Sequence, residues 1–218
     1  MAIIQSGDSS SSSLLTVDPT SKALRGSKYD NIGGNIGAIG QRAAYCASVT
    51  SKTNLSTGGG TFFAIYGSST RIIRVQRILI FATLATTAAY LEVDIINRFN
   101  RDLAFTTVPN LALTQVPTDS NNPPGSACLC AMWGAASAPT VGTGGGTIAS
   151  KNQFAPVTGT PVRAPAVYDF DWRRQDEAQA PRLHGVTQGL EAAFGAAPAT
   201  APSVTCSVWW TEEFDQGD

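Results

Sequence analysis

The sequence predicts an all-β protein: an antiparallel β-sandwich, jelly-roll-like, with an extended N-terminal arm. Three observations predict it. From Thr61 onward, segments rich in β-branched and aromatic residues recur, several with the period-two alternation of half-buried strands. Clusters of Gly, Pro, Asn and Ser punctuate them at the spacing of short strands. Only Gln188 to Ala193 is compatible with a short helix, and glycines bracket it.

The arm is residues 1–25. Ser9 to Ser13 is a run of five serines with nothing to bury. Leu14 to Arg25 follows, with spaced apolar residues and a turn-forming Asp18-Pro19. Such a segment stays extended and becomes ordered by lying on another surface. Leu14, Leu15, Val17, Leu24 and Arg25 are the residues expected to grip that surface. Residues 26–60 are rich in Gly, Ser and Thr and read as a linker with one candidate strand, Ala43 to Val49.

The body is residues 61–218. Its strand candidates, in order, are Thr61 to Tyr66, Arg71 to Phe81, Ala89 to Phe99, Leu103 to Val108, Ala127 to Trp133, Ala166 to Asp171, Leu190 to Phe194 and Val204 to Thr211. In the second, Ile73, Val75, Leu79 and Phe81 share one face, interrupted by Arg77, while Ile78 and Ile80 lie on the other. That pattern predicts a strand half exposed at its start and buried on both faces at its end. In the third, Leu91, Val93 and Ile95 alternate with Glu92 and Asp94, as in a strand with one wet face. In the last, Val204, Cys206, Val208 and Trp210 share one face, and Thr205, Ser207, Trp209 and Thr211 the other. Roughly 150 residues suffice to bury about two-thirds of the surface exposed on unfolding.

Charged residues make up only 14% of the chain, and the net charge is −1. A general nucleic-acid binder would show a basic excess, so nucleic acid is not an expected partner. No apolar run approaches the roughly 20 residues of a membrane-spanning helix. Met1 to Gln5 has neither a basic start nor a long apolar core, so a secretory signal is not expected. The four cysteines are then expected as free thiols.

The candidate chemical groups have structural explanations. His184 is the only histidine, and no nucleophile elbow lies near it. Cys128 and Cys130 are too close in sequence for the usual structural zinc spacing. They read as small core residues, with a metal site shared with Cys46, Cys206 or His184 as the alternative. Gly142 to Thr147 lacks the Lys-Ser/Thr ending of a phosphate loop and reads as a flexible loop, as does Gly33 to Gly40. Arg71, Arg74 and Arg77, and Arg173-Arg174 beside Asp169, Asp171, Asp176 and Glu177, read as solvated charges and inter-subunit ion pairs. Glu92 and Asp94 share a face at a spacing compatible with a glycosidase pair, but nothing else marks a cleft. No catalytic, cofactor or metal residues are therefore assigned, and an enzyme is not expected. Among Trp133, Trp172, Trp209 and Trp210, the adjacent pair Trp209 and Trp210 must face opposite ways. One is expected to enter the core and the other to be exposed or in an interface, and both are named as candidate interface aromatics.

Three stretches carry a resemblance. They are Leu15-Thr16-Val17-Asp18-Pro19-Thr20-Ser21-Lys22-Ala23-Leu24-Arg25, Thr70 to Ile78, and Leu183 to Leu190 followed by Ser207-Val208-Trp209-Trp210-Thr211-Glu212-Glu213. In this order they resemble structural proteins of tailed bacteriophage virions. His184 stands where that group carries a basic residue, and residues 100–165 lie outside the resemblance. The resemblance implies a virion component, assembled in the host cytoplasm. The expected role is a capsid decoration or cement protein that forms homo-oligomers, trimers among them, and binds the major capsid protein through its arm. The alternatives are a tail, baseplate or neck component, or a receptor- or glycan-binding module using Trp133 or Trp209.

Overall fold

The computed structural model describes residues 15–17, 24–26, 43–52, 60–100, 110–118, 126–133, 142–159, 164–173 and 179–214. The chain divides into two compact units, residues 1–42 with 216–218 and residues 43–215. In the first, β1 (Leu15–Val17) and β2 (Leu24–Gly26) form an antiparallel pair with Leu15 opposite Gly26 and Val17 opposite Leu24. Leu14 lies outside the described residues.

The second unit is all-β, and no helix occurs among its described residues. Its strands are β3 (Ala43–Lys52), β4 (Gly60–Tyr66), β5 (Arg71–Leu84), β6 (Ala89–Arg98), β7 (Asn110–Ala112), β8 (Gln115–Pro117), β9 (Leu129–Trp133), β10 (Gly144–Ala155), β11 (Ala166–Asp171), β12 (Arg182–Leu183), β13 (Gly189–Phe194) and β14 (Pro202–Phe214). They form two antiparallel sheets. The first has the order β10-β6-β13-β4-β9-β7 and the second β11-β5-β14-β3-β8. Strand β12 lies beyond β11 along the same edge of β5.

Alternation builds the core. On β14, Val204, Cys206, Val208, Trp210 and Glu212 are buried while the residues between them are half exposed. On β6, Leu91, Val93 and Ile95 are buried. Both sheets feed one hydrophobic core: Phe63, Ile65, Ile95 and Leu190 from the first, Ile73, Ile80, Tyr168 and Val208 from the second. Each such side chain contributes about 1.5–3 kcal/mol through burial. The Tyr168 hydroxyl donates to the Leu91 carbonyl at 2.7 Å, tying one sheet to the other. Burial pushes that phenol well above its ordinary pKa.

Four expectations need correction. The candidate strand of the 26–60 segment is β3, which pairs with both β14 and β8, so it belongs to the body. Strand β5 is buried on both faces near its start, from Ile73 to Gln76, and not at its end. Trp209 pairs with Arg77 and Trp210 with Val75, leaving Gln76 as a β-bulge. The extra residue shifts the phase, so Ile73, Val75, Ile78, Ile80, Ala82 and Leu84 all reach the core, while Leu79 and Phe81 stay half buried on the other side. The Gly142 to Thr147 stretch is not simply a loop. Strand β10 begins at Gly144, and Gly146, at φ 111°, occupies a bulge that a side chain would strain. Finally, of the two readings of this segment, the short helix Gln188 to Ala193 falls and the strand candidate Leu190 to Phe194 holds. Gly189–Phe194 is a strand paired on both sides, with β4 and β6. The expected strand Leu103 to Val108 lies outside the described residues.

Candidate interaction surface

The structure separates the two predicted interface tryptophans. Trp210 is the one of the pair that enters the core, which removes it from the interface candidates. It takes the inward phase of β14, is 1% exposed, stacks on Tyr45 at 5.9 Å, and donates its indole N–H to Glu212 Oε1 at 3.1 Å. Trp209 takes the outward phase and is half buried, with the Arg77 guanidinium 5.4 Å from its ring centre. Leu15 and Val17 lie on β1, and Leu24 and Arg25 on β2. These two strands form a two-stranded antiparallel sheet. Trp133 is buried, so its ring is not offered to a ligand, and Trp172 stacks on Phe170.

The other candidates are accounted for by local bonding. His184 is exposed, and its main-chain N–H donates to Gln188 Oε1 at 2.9 Å. Cys128 and Cys130 lie in the core with their sulfurs 4.0 Å apart. Burial is the main reason that the Cys130 and Cys206 thiols are pushed above their ordinary pKa. Among the described residues, no three His, Cys, Asp or Glu side chains are placed to hold a metal ion. Glu212 accepts from Ser126 Oγ, from the Ala127 N–H and from the Trp210 indole, which fixes the segment entering β9.

The arginines expected to be solvated are partly built into the body. Arg74 is buried and pairs with Glu213 at 2.9 Å. Arg77 forms two bonds of 2.8 Å to Asp169. That contact is the chief cause holding the Asp169 carboxyl below its ordinary range. Arg173 does the same for Asp171, lowering it to about 2. Arg174, Asp176 and Glu177 lie outside the described residues.

The outward face of the first sheet is where the molecule is least self-sufficient. At its β4–β9 half, Ala64, Tyr66, Ala131 and Trp133 form a second buried cluster. Beside them the fully buried Glu191 of β13 accepts from Arg98 Nε at 2.8 Å, Thr61 Oγ1 at 2.9 Å and Tyr66 Oη at 3.3 Å. The β6–β10 half is open. Tyr90 sits opposite Phe154 across the strands, the rings meeting edge to face at 5.6 Å. They are 74% and 37% exposed, whereas aromatic side chains usually find cover.

The same face carries Glu92 and Asp94, opposite Asn152 and Ser150. Among the described residues, Asp169, Asp171, Glu191 and Glu213 each have an arginine within 2.7–2.9 Å, and Glu212 is held by three donors. Among the described residues, Glu92 accepts only from Ser150 Oγ, at 3.1 Å, and neither it nor Asp94 has a cation. Tyr90 was legible, since it continues the wet face of Glu92 and Asp94. Phe154 was not, because β10 shows no apolar alternation.

Comparison with protein-family models, curated proteins and solved structures gives no match to this chain.

Proposed function

We propose that the chain is a structural component of a phage virion: a capsid decoration protein whose body is a jelly-roll-like β-sandwich and whose N-terminal segment is an attachment arm. The observation that supports the reading is that β1 and β2 form a two-stranded pair of their own. Among the described residues, the body's core is built from β3 onward. An arm of this kind binds by adding strands and inserting apolar side chains into a neighbour. Leu15, Val17, Leu24 and Arg25 are the residues assigned to that grip, with Leu14 beside them. Repetition of a modest contact over a symmetric shell multiplies its strength. The resemblance of the two ends and of the β5 segment to virion proteins supplies the choice of setting. Homo-oligomers, trimers among them, and the major capsid protein are the proposed partners.

Deleting residues 2–25 tests the reading. The body's unfolding transition should be nearly unchanged, and attachment to particles should be lost. Retained attachment overturns the arm. Copy number in purified particles then separates head from tail: hundreds place the protein on the shell, a dozen or fewer on the tail, baseplate or neck.

A further inference from the structure

We infer that the open half of the first sheet's outward face is the seat for the arm of a second copy of this chain. It would be bound through the aromatic pair Tyr90 and Phe154 and the uncompensated carboxylates Glu92 and Asp94. The inference rests on the arm reading and names the surface that the arm grips.

The face presents two chemistries at once. Tyr90 and Phe154 form an exposed apolar step at the start of β6 and the end of β10. Glu92 and Asp94 continue the same row along β6, and they are the two described carboxylates held by neither an arginine nor a set of donors. Gly195 borders the row. A methyl group there would come within 2.7 Å of Glu92 Oε2, so the missing side chain leaves the carboxylate its room. A partner for this face must bring positive charge beside apolar groups.

Two copies meeting through this face alone would bring Glu92 and Asp94 from both sides into one contact, and the gathered negative charge disfavours it. The end of the arm and the first residues after it supply the complement. Between Asp18 and Asp30 the chain carries Lys22, Arg25 and Lys28 and no carboxylate, with Leu24 and Tyr29 among them. Arm on one copy and face on the next is a head-to-tail contact, which closes into a ring or runs on as a lattice. Either form suits a shell protein.

Sedimentation of the full chain tests the inference. The intact protein should associate with rising concentration, and added salt should weaken the association. Reversing the face (Glu92→Lys with Asp94→Lys) should weaken it about tenfold or more, and reversing the arm (Lys22→Glu, Arg25→Glu, Lys28→Glu) should do the same. Combining both sets should restore it to within about threefold, which a merely misfolded variant would not do. An intact chain that stays monomeric up to about 1 mM overturns the inference. So does a face reversal without effect, or a combined variant that fails to recover. Particle attachment separates the two readings. If arm reversal abolishes attachment while face reversal leaves both attachment and self-association intact, the arm stands and this seat falls. If deletion of residues 2–25 leaves attachment intact, the arm itself falls.

Discussion

The two halves of the first sheet's outward face share a fold and differ in chemistry. Around β4 and β9, Tyr66 and Trp133 are buried among alanines, and the neighbouring Glu191 is held by Arg98, Thr61 and Tyr66. Around β6 and β10, Tyr90 and Phe154 are exposed, and Glu92 and Asp94 have no cation among the described residues. Strand β13 lies between the halves and sets Ala193 opposite Asp94 and Glu191 opposite Ile96. The difference teaches that burial and pairing go together. A carboxylate removed from water must find donors, because an unpaired buried charge is very costly. One left in water can wait for a partner.

The largest expected effect tests the covered half. Trp133→Ala should destabilise the body by about 3–5 kcal/mol, measured by urea unfolding. Tyr90→Ser on the open half should stay within about 0.5 kcal/mol. Equal losses would erase the distinction between the halves. The carboxylates give the next contrast. Glu191→Gln weakens a charge-assisted bond to Arg98 and should cost about 1.5–3 kcal/mol, while Asp94→Asn should leave the unfolding midpoint nearly unchanged. A costly Asp94→Asn would mean that the open half serves the fold rather than a partner.

The smallest effect is an acid signature of pairing, carried by β11. Arginine contacts hold Asp169 below its ordinary pKa of 3.8 and lower Asp171 to about 2. With both depressed, the unfolded chain takes up protons more readily than the folded one. The stability these pairs add is therefore present above pH 3.8 and is lost as pH falls towards 2. Both pairs are partly exposed, so the slope is shallow. Melting temperatures between pH 5 and pH 2 should show it, and Asp171→Asn should flatten it. An unchanged slope in that variant would remove Asp171 from the account.

Strands were legible wherever one face is buried and the other wet. Ala166–Asp171 and the alternation of β6 and β14 could be read directly, because burial imposes a period of two. Strand β10 was hidden because nearly all of it is exposed, and its backbone pairing with β6 leaves no mark in side-chain polarity. Strand β13 was legible as the candidate Leu190 to Phe194 but was also compatible with a short helix, because Leu190, Glu191, Ala192 and Ala193 favour helix locally, and pairing on both sides overrides that preference. The Gln76 bulge disguised β5, since one extra residue reverses the parity of everything after it. Glu191 could not be assigned a role from sequence, as its partners Arg98 and Thr61 lie 93 and 130 positions away. The open half was half visible: Tyr90, Glu92 and Asp94 belong to one legible row, and Phe154 belongs to the hidden strand.

The place of β14 has a consequence for how the body is made. It is the last of these strands in chain order, yet it lies between β5 and β3, pairing with β5 from Leu84 to Arg71 and with β3 from Lys52 to Ala43. Until residues 202–214 leave the ribosome, β3 and β5 each present an unpaired edge. Contacts so distant along the chain form slowly, and unpaired edges invite mispairing between nascent chains. The second sheet is therefore completed late, in one closing insertion, and the yield of folded protein should depend more on synthesis rate and chaperone supply than on the stability finally reached.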